Sequence, residues 1–196
     1  MAVDDEFTKS LLHFEDAGNA VYFPDESGKT WNNFGNARIA TGQYKFGVSS
    51  CYFDGNGDYI ISGNSEDFNF GTGDFTIDGW IYRAGTKAYP GIIGSNIGGG
   101  SGWAIRLGNS DNKFIWYSNG AVKITTAGTI ADTTWTHFAV IRYINTVTVY
   151  IGGTADGTDD CTGDTISTDS SGVCIGRMSP LTDNYYWNGY IRFFKD

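Results

Sequence analysis

The sequence predicts an all-β protein: a two-sheet antiparallel β-sandwich of the jelly-roll type. Three observations support this fold class. Strand-sized apolar segments with period-two alternation recur along the chain, and Gly, Asn and Asp separate them. Glycine is abundant, at 28 residues, and proline is rare, at 3, which suits many tight turns. We find no convincing amphipathic helix, because no segment shows a clear 3.6-residue apolar period.

The predicted strands follow one another at similar spacing. They are segments 10–14, 44–54, 59–62, 75–83, 91–95, 103–107, 113–117, 121–125, 135–143, 147–152, 173–177 and 187–194. The strongest is 75–83, which contains the run Phe-Thr-Ile-Asp-Gly-Trp-Ile-Tyr-Arg. The turn sequence Asp-Gly-Asn-Gly at 54–57 predicts a hairpin between the second and third strands. Residues 144–146 predict a second hairpin, between 135–143 and 147–152.

Two stretches interrupt this spacing. Residues 94–102 are rich in glycine and residues 154–172 are rich in Asp, Thr, Ser and Gly, so both are predicted to be loops. Neither resembles a linker, because the strands on either side are too few for an independent sandwich. We therefore expect one domain over residues 1–196. The chain stops close to its last predicted strand, which is compatible with a fragment of a longer protein.

Composition argues against several classes of partner. The net charge is −9, with 18 Asp and only 4 Glu, and phosphate backbones or anionic membrane surfaces would repel such a chain. No apolar run approaches the roughly 18 residues that a membrane span requires. The acidic start, Met-Ala-Val-Asp-Asp-Glu, lacks the apolar stretch of a signal peptide. We expect no nucleic-acid partner, no membrane insertion and no signal peptide.

The three cysteines leave one question open. Cys51 lies in a strand-like run and is expected to be a buried, inert thiol. Cys161 and Cys174 could pair, but the sequence does not give the distance between them.

Several short motifs occur together in a specific order. They include Phe-Asp-Gly-Asn-Gly-Asp-Tyr-Ile at 53–60, Trp-Thr-His-Phe-Ala-Val at 135–140 and Trp-Asn-Gly-Tyr-Ile at 187–191, with further pieces at 10–14, 24–28, 45–47, 68–77, 148–153 and 175–177. Over nearly the whole chain this order resembles the laminin G-like, concanavalin A-like lectin/glucanase superfamily. The resemblance implies a concanavalin A-like jelly roll that binds a ligand, most often carbohydrate.

The chain departs from the enzymes of that superfamily. Their hydrolases carry Glu-x-Asp-x-Glu on one strand, which puts a proton donor and a nucleophile on the same face. That motif is missing, and Asp78 is the only acid within segment 75–83. His13 and His137 lie in strand-like runs, where a structural role is expected. We therefore expect a non-catalytic protein, with a cryptic polysaccharide hydrolase or lyase as the enzymatic alternative.

Calcium is the one cofactor that the sequence suggests. Asp54, Asn56 and Asp58 place oxygen ligands at alternate positions of a turn, as hard cations prefer. An acid-rich group is a second candidate and consists of Asp156, Asp159, Asp160 and Asp164. A plain hairpin and a solvated loop are the respective alternatives. The resemblance implies a calcium-holding acid on the last strand, where this chain has Arg192 instead.

Aromatic side chains are the predicted ligand-binding groups, because flat rings stack on the apolar faces of sugars. The candidates are Tyr89, Trp103, Trp116, Tyr185 and Tyr186, with the amide of Asn184 as a hydrogen-bonding group. Tyr89, Tyr185 and Tyr186 lie in turn-like segments, where burial is less assured than in strands, and Trp103 follows the glycine-rich loop. Core packing is the alternative for each ring. The predicted partner is a glycan or polysaccharide.

The start of the chain suggests a setting. A short acidic opening that leads directly into Ser-Leu-Leu-His-Phe is similar to virion or tail proteins of bacteriophages. We therefore expect a virion protein made in the host cytoplasm. The alternative function is a structural or decoration protein that forms homo-oligomers or contacts other virion proteins. Phe193 and Phe194 favour it, because one of two adjacent strand residues should face away from the core.

Overall fold

The computed structural model describes residues 6–63, 66–95, 102–168, 172–179 and 185–193. These residues form two antiparallel seven-stranded sheets, which confirms the predicted fold class. The strands are β1 (Trp31–Phe34), β2 (Arg38–Ala40), β3 (Ser50–Asp54), β4 (Tyr59–Ser62), β5 (Phe75–Arg83), β6 (Gly91–Gly94), β7 (Trp103–Leu107), β8 (Lys113–Ser118), β9 (Ala121–Thr129), β10 (Trp135–Tyr143), β11 (Thr146–Ile151), β12 (Thr154–Asp160), β13 (Cys174–Ile175) and β14 (Asn188–Arg192). A 3-10 helix covers Glu66–Phe68. Within the described ranges, no helix is long and apolar enough to cross a membrane.

The two sheets have different strand orders. Sheet I runs β1-β4-β13-β6-β7-β8-β9, and sheet II runs β12-β11-β10-β5-β14-β3-β2. In the inner strands of sheet II, alternate residues face the other sheet and are fully buried, as Phe53, Ile81, Phe138 and Ile191 show. The residues between them lie on the outer face, which is the face directed away from the partner sheet. This alternation decides which side chains can meet a ligand.

One predicted hairpin is confirmed and the other is wrong. Strands β10 and β11 pair from Phe138 opposite Ile151 to Tyr143 opposite Thr146, as the sequence predicted. Strands β3 and β4 do not form a hairpin, because β3 belongs to sheet II and β4 to sheet I. The turn at 54–58 therefore carries the chain from one sheet to the other. Turn residues specify a change of direction, but they do not specify the partner strand.

Segment 10–14 is buried without being a strand, so its prediction is wrong. Leu11, Leu12 and Phe14 are all core residues. The backbone N–H of Leu11 donates to the carboxylate of Asp25 at 3.1 Å, and its carbonyl accepts from the N–H of Glu26 at 3.0 Å. The apolar run therefore reflects burial, while its backbone is satisfied outside the sheets.

The loop predicted over 154–172 is partly wrong, because β12 occupies its first seven residues. Strand β12 is the edge of sheet II and pairs with β11. The carboxylate of Asp156 accepts the N–H groups of Ala127 (2.9 Å) and Gly128 (3.1 Å) in β9, so the edges of the two sheets meet here. Residues 96–101 of the other predicted loop lie outside the described residues.

The remaining expectations concern cysteines and the last strand. Cys51, Cys161 and Cys174 are all buried and free, so Cys161 and Cys174 do not pair. Phe193 is partly buried against the core, with its ring 6.2 Å from that of Phe14. Phe194 lies outside the described residues.

Candidate functional site

Two of the predicted ligand-binding rings are core residues. Trp103 is 1% exposed and Trp116 is 0% exposed, and their ring centroids lie 6.1 Å apart inside the sandwich. The Nε1–H of Trp103 donates to the carbonyl of Phe68 at 3.1 Å. Assigning them to ligand binding is therefore wrong, because a ring without accessible surface cannot stack on a ligand. Both rings stand at positions of β7 and β8 that face the other sheet, because side chains alternate between the two faces along a strand.

Two other predicted rings do come together beside sheet I. The rings of Tyr89 and Tyr185 meet edge to face, with centroids 5.6 Å apart. The guanidinium of Arg106 lies 4.8 Å from the Tyr89 ring. Both tyrosines are half-buried, so each keeps some accessible surface. Asn184 lies outside the described residues.

Tyr186 joins a separate stack on the same side. Its ring lies 6.4 Å from Tyr59, which in turn stacks on Phe34 at 4.6 Å. The guanidinium of Arg177 lies 5.0 Å from the Tyr59 ring and 5.3 Å from the Tyr186 ring. The sequence reasoning missed Tyr59, Phe34 and Arg177, since only the fold brings β1, β4 and the segment after β13 together.

The calcium candidate at 54–58 does not fit a metal site. Asp58 is fully buried, and its carboxylate accepts the backbone N–H groups of Asp54 (2.8 Å) and Asn36 (2.5 Å). Asp54 in turn accepts the N–H of Asn56 at 2.7 Å. Burial raises the pKa of Asp58, and the nearby charge of Asp54 adds to that effect. These carboxylates therefore stabilise the turn between the sheets.

Three members of the second acidic group, Asp156, Asp160 and Asp164, make structural contacts. Asp156 bonds β9, as described above, and Asp164 forms an ion pair with Lys123 at 2.8 Å. Asp160 accepts the N–H of Thr162 at 2.9 Å. Within the described ranges, no three His, Cys, Asp or Glu side chains come together as a metal-binding group.

The outer face of sheet II carries a continuous row of rings that the sequence reasoning missed. The aromatic row consists of Tyr52 (β3), Tyr190 (β14), Tyr82 (β5) and Trp135 (β10). Each ring is directly opposite the next in the strand register: Tyr52 pairs with Tyr190, Tyr190 with Tyr82, and Tyr82 with Trp135. The successive centroid distances are 4.9, 5.8 and 5.6 Å. The row therefore crosses four adjacent strands at right angles to them.

Each ring of the row is half-buried, so it is anchored yet keeps accessible surface. The neighbours of Tyr52 within its strand, Cys51 and Phe53, are fully buried, which fixes the Tyr52 ring on the outer face. Burial raises the pKa of the Tyr190 phenol, and neighbouring Tyr52 adds to the increase. The Tyr190 hydroxyl is therefore protonated at neutral pH and can donate a hydrogen bond.

Different chemistry flanks the row on its two sides. On one side lie Asp54 and Asn188, which are opposite each other two positions along the strands from Tyr52 and Tyr190. They supply a carboxylate and an amide group. On the other side Trp80 lies beside the row, with the Lys45 ammonium 4.5 Å from its ring and Phe46 at 5.4 Å. Polar groups beside stacked rings are what a hydroxyl-rich ligand with apolar faces requires.

Asp78 and His137 lie close together on the outer face of sheet II. The Asp78 carboxylate is 3.7 Å from the Nε2 atom of His137, on the neighbouring strand β10. The His137 ring also lies 5.2 Å from that of Trp80. This part of the outer face is therefore organised as a packed carboxylate–imidazole–indole cluster.

Comparison with known proteins agrees with this architecture. Residues 54–195 match the model of a family described as the Concanavalin A-like lectin/glucanases superfamily. No curated protein sequence matches the chain. Similarity to solved structures is at the level of fold, since the sequence identities below are under 20%.

Three solved structures illustrate the similarity. The binding domain of Paraclostridial Mosquitocidal Protein 1 is 19% identical, with a TM-score of 0.68 over 95% of this chain and 49% of that chain. Domain 4 of AbnA, a GH43 extracellular arabinanase from Geobacillus stearothermophilus in complex with arabinotriose, is 14% identical, with a TM-score of 0.61 over 95% and 89%. The binding domain of Botulinum Neurotoxin DC in complex with SialylT is 18% identical, with a TM-score of 0.59 over 86% and 44%. This chain thus spans less than half of either toxin structure.

Proposed function

The chain belongs to the Concanavalin A-like lectin/glucanases superfamily, and from that premise we propose that it is a non-catalytic carbohydrate-binding module. The observation that carries the proposal is the aromatic row on the outer face of sheet II. Four half-buried rings in register, tilted by 47 to 79° to their neighbours, form a line of aromatic surface, and the apolar faces of sugars stack on such rings. Asp54 and Asn188 beside the row supply acceptors and a donor for hydroxyl groups.

The similar structures support carbohydrate as the ligand class. AbnA domain 4 was solved with arabinotriose and the neurotoxin binding domain with SialylT. A further similar structure, with a TM-score of 0.52 and 15% identity, is described as a putative carbohydrate binding protein from Bacteroides ovatus. The neurotoxin structure is a binding domain by description and the Bacteroides ovatus protein a putative carbohydrate binding protein, which also favours a module without catalysis.

The experiment is a glycan array followed by titration of a bound oligosaccharide, using wild type and Trp135→Leu. Leucine keeps an apolar side chain against Tyr82 but removes the flat ring. We expect the affinity to fall by about tenfold or more, as for other buried aromatic contacts. Tyr143→Leu is the matched control, because Tyr143 is 69% exposed and lies outside the row. A flat array, or equal affinity of Trp135→Leu and wild type, would refute the proposal.

The enzymatic alternative has a direct test. If the module only binds, a reducing-sugar assay on the polysaccharides that it retains should stay at the background of a heat-denatured sample. Sustained release of reducing ends would refute the non-catalytic proposal.

The virion setting is a separate part of the proposal, and it rests on the opening sequence alone. The alternative function, a structural or decoration protein, was suggested by the apolar residues Phe193 and Phe194. Of these, Phe193 packs towards the core beside Phe14 and Phe138. Light scattering at micromolar concentration tests it: a stable oligomer would support subunit contacts, and a strict monomer would contradict them.

A further inference from the structure

The two ends of the aromatic row differ in shape. Strand β2 is the last strand of sheet II next to Tyr52. Beyond it, the N–H of Asn19 donates to the carbonyl of Ile39 at 2.7 Å, and the N–H of Ile39 donates to the carbonyl of Ala20 at 2.8 Å. These bonds fix a further stretch of chain along the free edge of β2. Val21 follows directly and stands 56% exposed beyond the row.

A small hollow lies between that stretch and the first ring of the row. This end pocket has a volume of about 350 Å³ and is lined by Val21, Gly35, Asn36, Arg38, Tyr52 and Asp54. Arg38 forms one side, with its guanidinium 4.6 Å from the Tyr52 ring and its Nη1–H donating to the carbonyl of Asn36 at 3.0 Å. Asp54 forms the other side, and its carboxylate accepts from the amide of Asn36 at 3.4 Å.

At the opposite end of the row, the neighbouring turn is low where the structure describes it. Trp135 is the first residue of β10, and the neighbouring turn between β11 and β12 contains Gly152 and Gly153. The N–H of Gly152 donates to the carbonyl of His137 at 2.9 Å, which places this turn beside the start of β10. A side-chain carbon at either glycine would have no atom within 4 Å. The turn therefore raises no wall past Trp135.

The side chains of the end pocket thus bound the row at one end, and the turn beside Trp135 leaves room for a ligand chain to continue at the other. We propose that the module holds a glycan by its terminal unit, which occupies the end pocket while the following units stack on the aromatic row and the rest of the chain leaves past Trp135. This inference rests on the proposed function. The four strands that carry the row span roughly 14 Å, at about 4.8 Å per strand, which gives room for a short oligosaccharide.

The charges of the end pocket define the terminal unit. Arg38 and Asp54 offer one positive and one negative group, and the Asn36 amide adds a donor. Hydroxyls both donate and accept, so a unit with unmodified hydroxyls satisfies all three side chains. Arg38 and Asp54 balance each other, so the lining of the pocket has no net charge that would favour an acidic or a basic unit. The terminal unit is therefore a neutral sugar.

Chain ends can be counted, which gives a test that does not require the sugar to be known in advance. A polysaccharide retained by the module, with arabinan included in the panel, is partly cut by an endo-acting hydrolase. Binding sites per gram are then measured by calorimetric titration before and after cutting. Recognition of ends predicts that the site density rises in proportion to the number of chains, whereas internal recognition predicts an unchanged density, which would overturn the inference. Failure to retain any polysaccharide would instead refute the proposed function.

Variants at the pocket provide a second measurement. Arg38→Gln and Asp54→Asn should each weaken binding of a neutral trisaccharide such as arabinotriose, or of the best trisaccharide on the array, by about tenfold, as expected for the loss of a charged hydrogen bond. Lys113→Gln on β8 of sheet I removes a charge elsewhere and serves as the matched control. Circular dichroism checks that each variant is folded. Unchanged affinity in folded Arg38→Gln and Asp54→Asn would remove the end pocket from the binding site.

Discussion

Replacing Asp25 by asparagine tests how the chain before β1 is held to the sandwich. Asp25 is 9% exposed, and its carboxylate accepts five hydrogen bonds. The donors are the hydroxyl of Ser10 (2.6 Å), the N–H of Leu11 (3.1 Å), the N–H and hydroxyl of Ser27 (2.8 and 2.7 Å) and the Nε1–H of Trp31 (2.9 Å). One carboxylate therefore joins segment 10–14 to the first strand of sheet I.

The cost of the substitution follows from which oxygen is replaced. The Oδ1 atom accepts two backbone N–H groups and a hydroxyl, whereas Oδ2 accepts only Ser10 and Trp31. The amide nitrogen of the asparagine should therefore take the place of Oδ2, because the Ser10 hydroxyl there can rotate and accept a hydrogen bond from it. The Trp31 N–H then faces another donor and is left unsatisfied, which costs about 1–3 kcal/mol. With weaker bonds from the uncharged oxygen, the free energy of unfolding should fall by about 2–4 kcal/mol and Tm by about 5–15 °C.

Urea unfolding at neutral pH, followed by tryptophan fluorescence, measures this loss. Trp31→Phe removes the conflicting N–H, so Asp25→Asn should cost about 1–3 kcal/mol less in that background than in wild type. A loss below about 0.5 kcal/mol would place Asp25 among ordinary surface positions and refute the reasoning. Strict additivity of the two substitutions would show that the bond to Trp31 does not carry the cost.

The same residue gives a pH dependence. Burial alone would raise the pKa of Asp25, but the hydrogen bonds from Ser10, Ser27, Trp31 and Leu11 outweigh it and lower the pKa. The stabilisation is therefore fully present above the unfolded pKa of about 3.9, and it is lost as the pH falls through the lower folded pKa. Below about pH 4 the stability of wild type should decrease more steeply than that of Asp25→Asn. Parallel curves would contradict this assignment.

Two further predictions concern buried groups. Burial raises the pKa of the Cys174 thiol to about 12, so a thiol reagent at pH 8 should leave Cys174 unmodified in the native protein and modify it after unfolding; native reactivity would contradict its burial. Arg192 is 1% exposed, and its guanidinium donates to the Ser49 carbonyl at 2.6 Å and to the Glu15 carboxylate. Arg192→Met should therefore lower the free energy of unfolding by about 3–5 kcal/mol. Glu15→Gln should lower it by less, because Glu15 is more exposed. Thermal denaturation of Arg192→Met and Glu15→Gln measures the two losses of stability. A larger loss for Glu15→Gln would contradict this prediction.

The sequence predicted correctly those strands whose pairing depends on their own residues and on a short adjacent turn. In β5 and β10 the alternation is strong, and the short turn at 144–146 leaves the chain only one nearby partner. The turn at 54–58 misled because sheet membership depends on β13 and β14, more than 100 residues later in the chain. Segment 10–14 misled because burial selects apolar residues whether or not the backbone pairs in a sheet.

Arg192 shows how the resemblance and the structure differ in detail. The superfamily resemblance implies an acid on the last strand that helps to hold calcium. Here the guanidinium occupies that strand on the outer face of sheet II, where its positive charge meets Ser49 and Glu15 from the preceding loops. A fixed side-chain cation thus joins these loops to the sheet.

The aromatic row could have been found only in part. Tyr52 lies between the apolar residues Cys51 and Phe53, and Trp80 and Tyr82 alternate with Ile81, so each strand shows which ring faces outward. Alternation does not give the register between strands, and a shift of one residue would send every ring to the other face. For the same reason, the sequence did not show that Trp103 and Trp116 face the interior of the sandwich.

Cross-strand ring pairs also stabilise a sheet, by about 0.2–1 kcal/mol each, so the row needs an argument that separates structure from function. Sheet II already has a complete inner face, with Phe53, Ile81, Phe138 and Ile191 fully buried. Rings that only strengthened the sheet would gain from being covered, yet all four stay half-exposed in one line that ends in a polar pocket. Trp135→Leu separates the two roles, because leucine preserves most of the packing but none of the flat surface on which a sugar stacks.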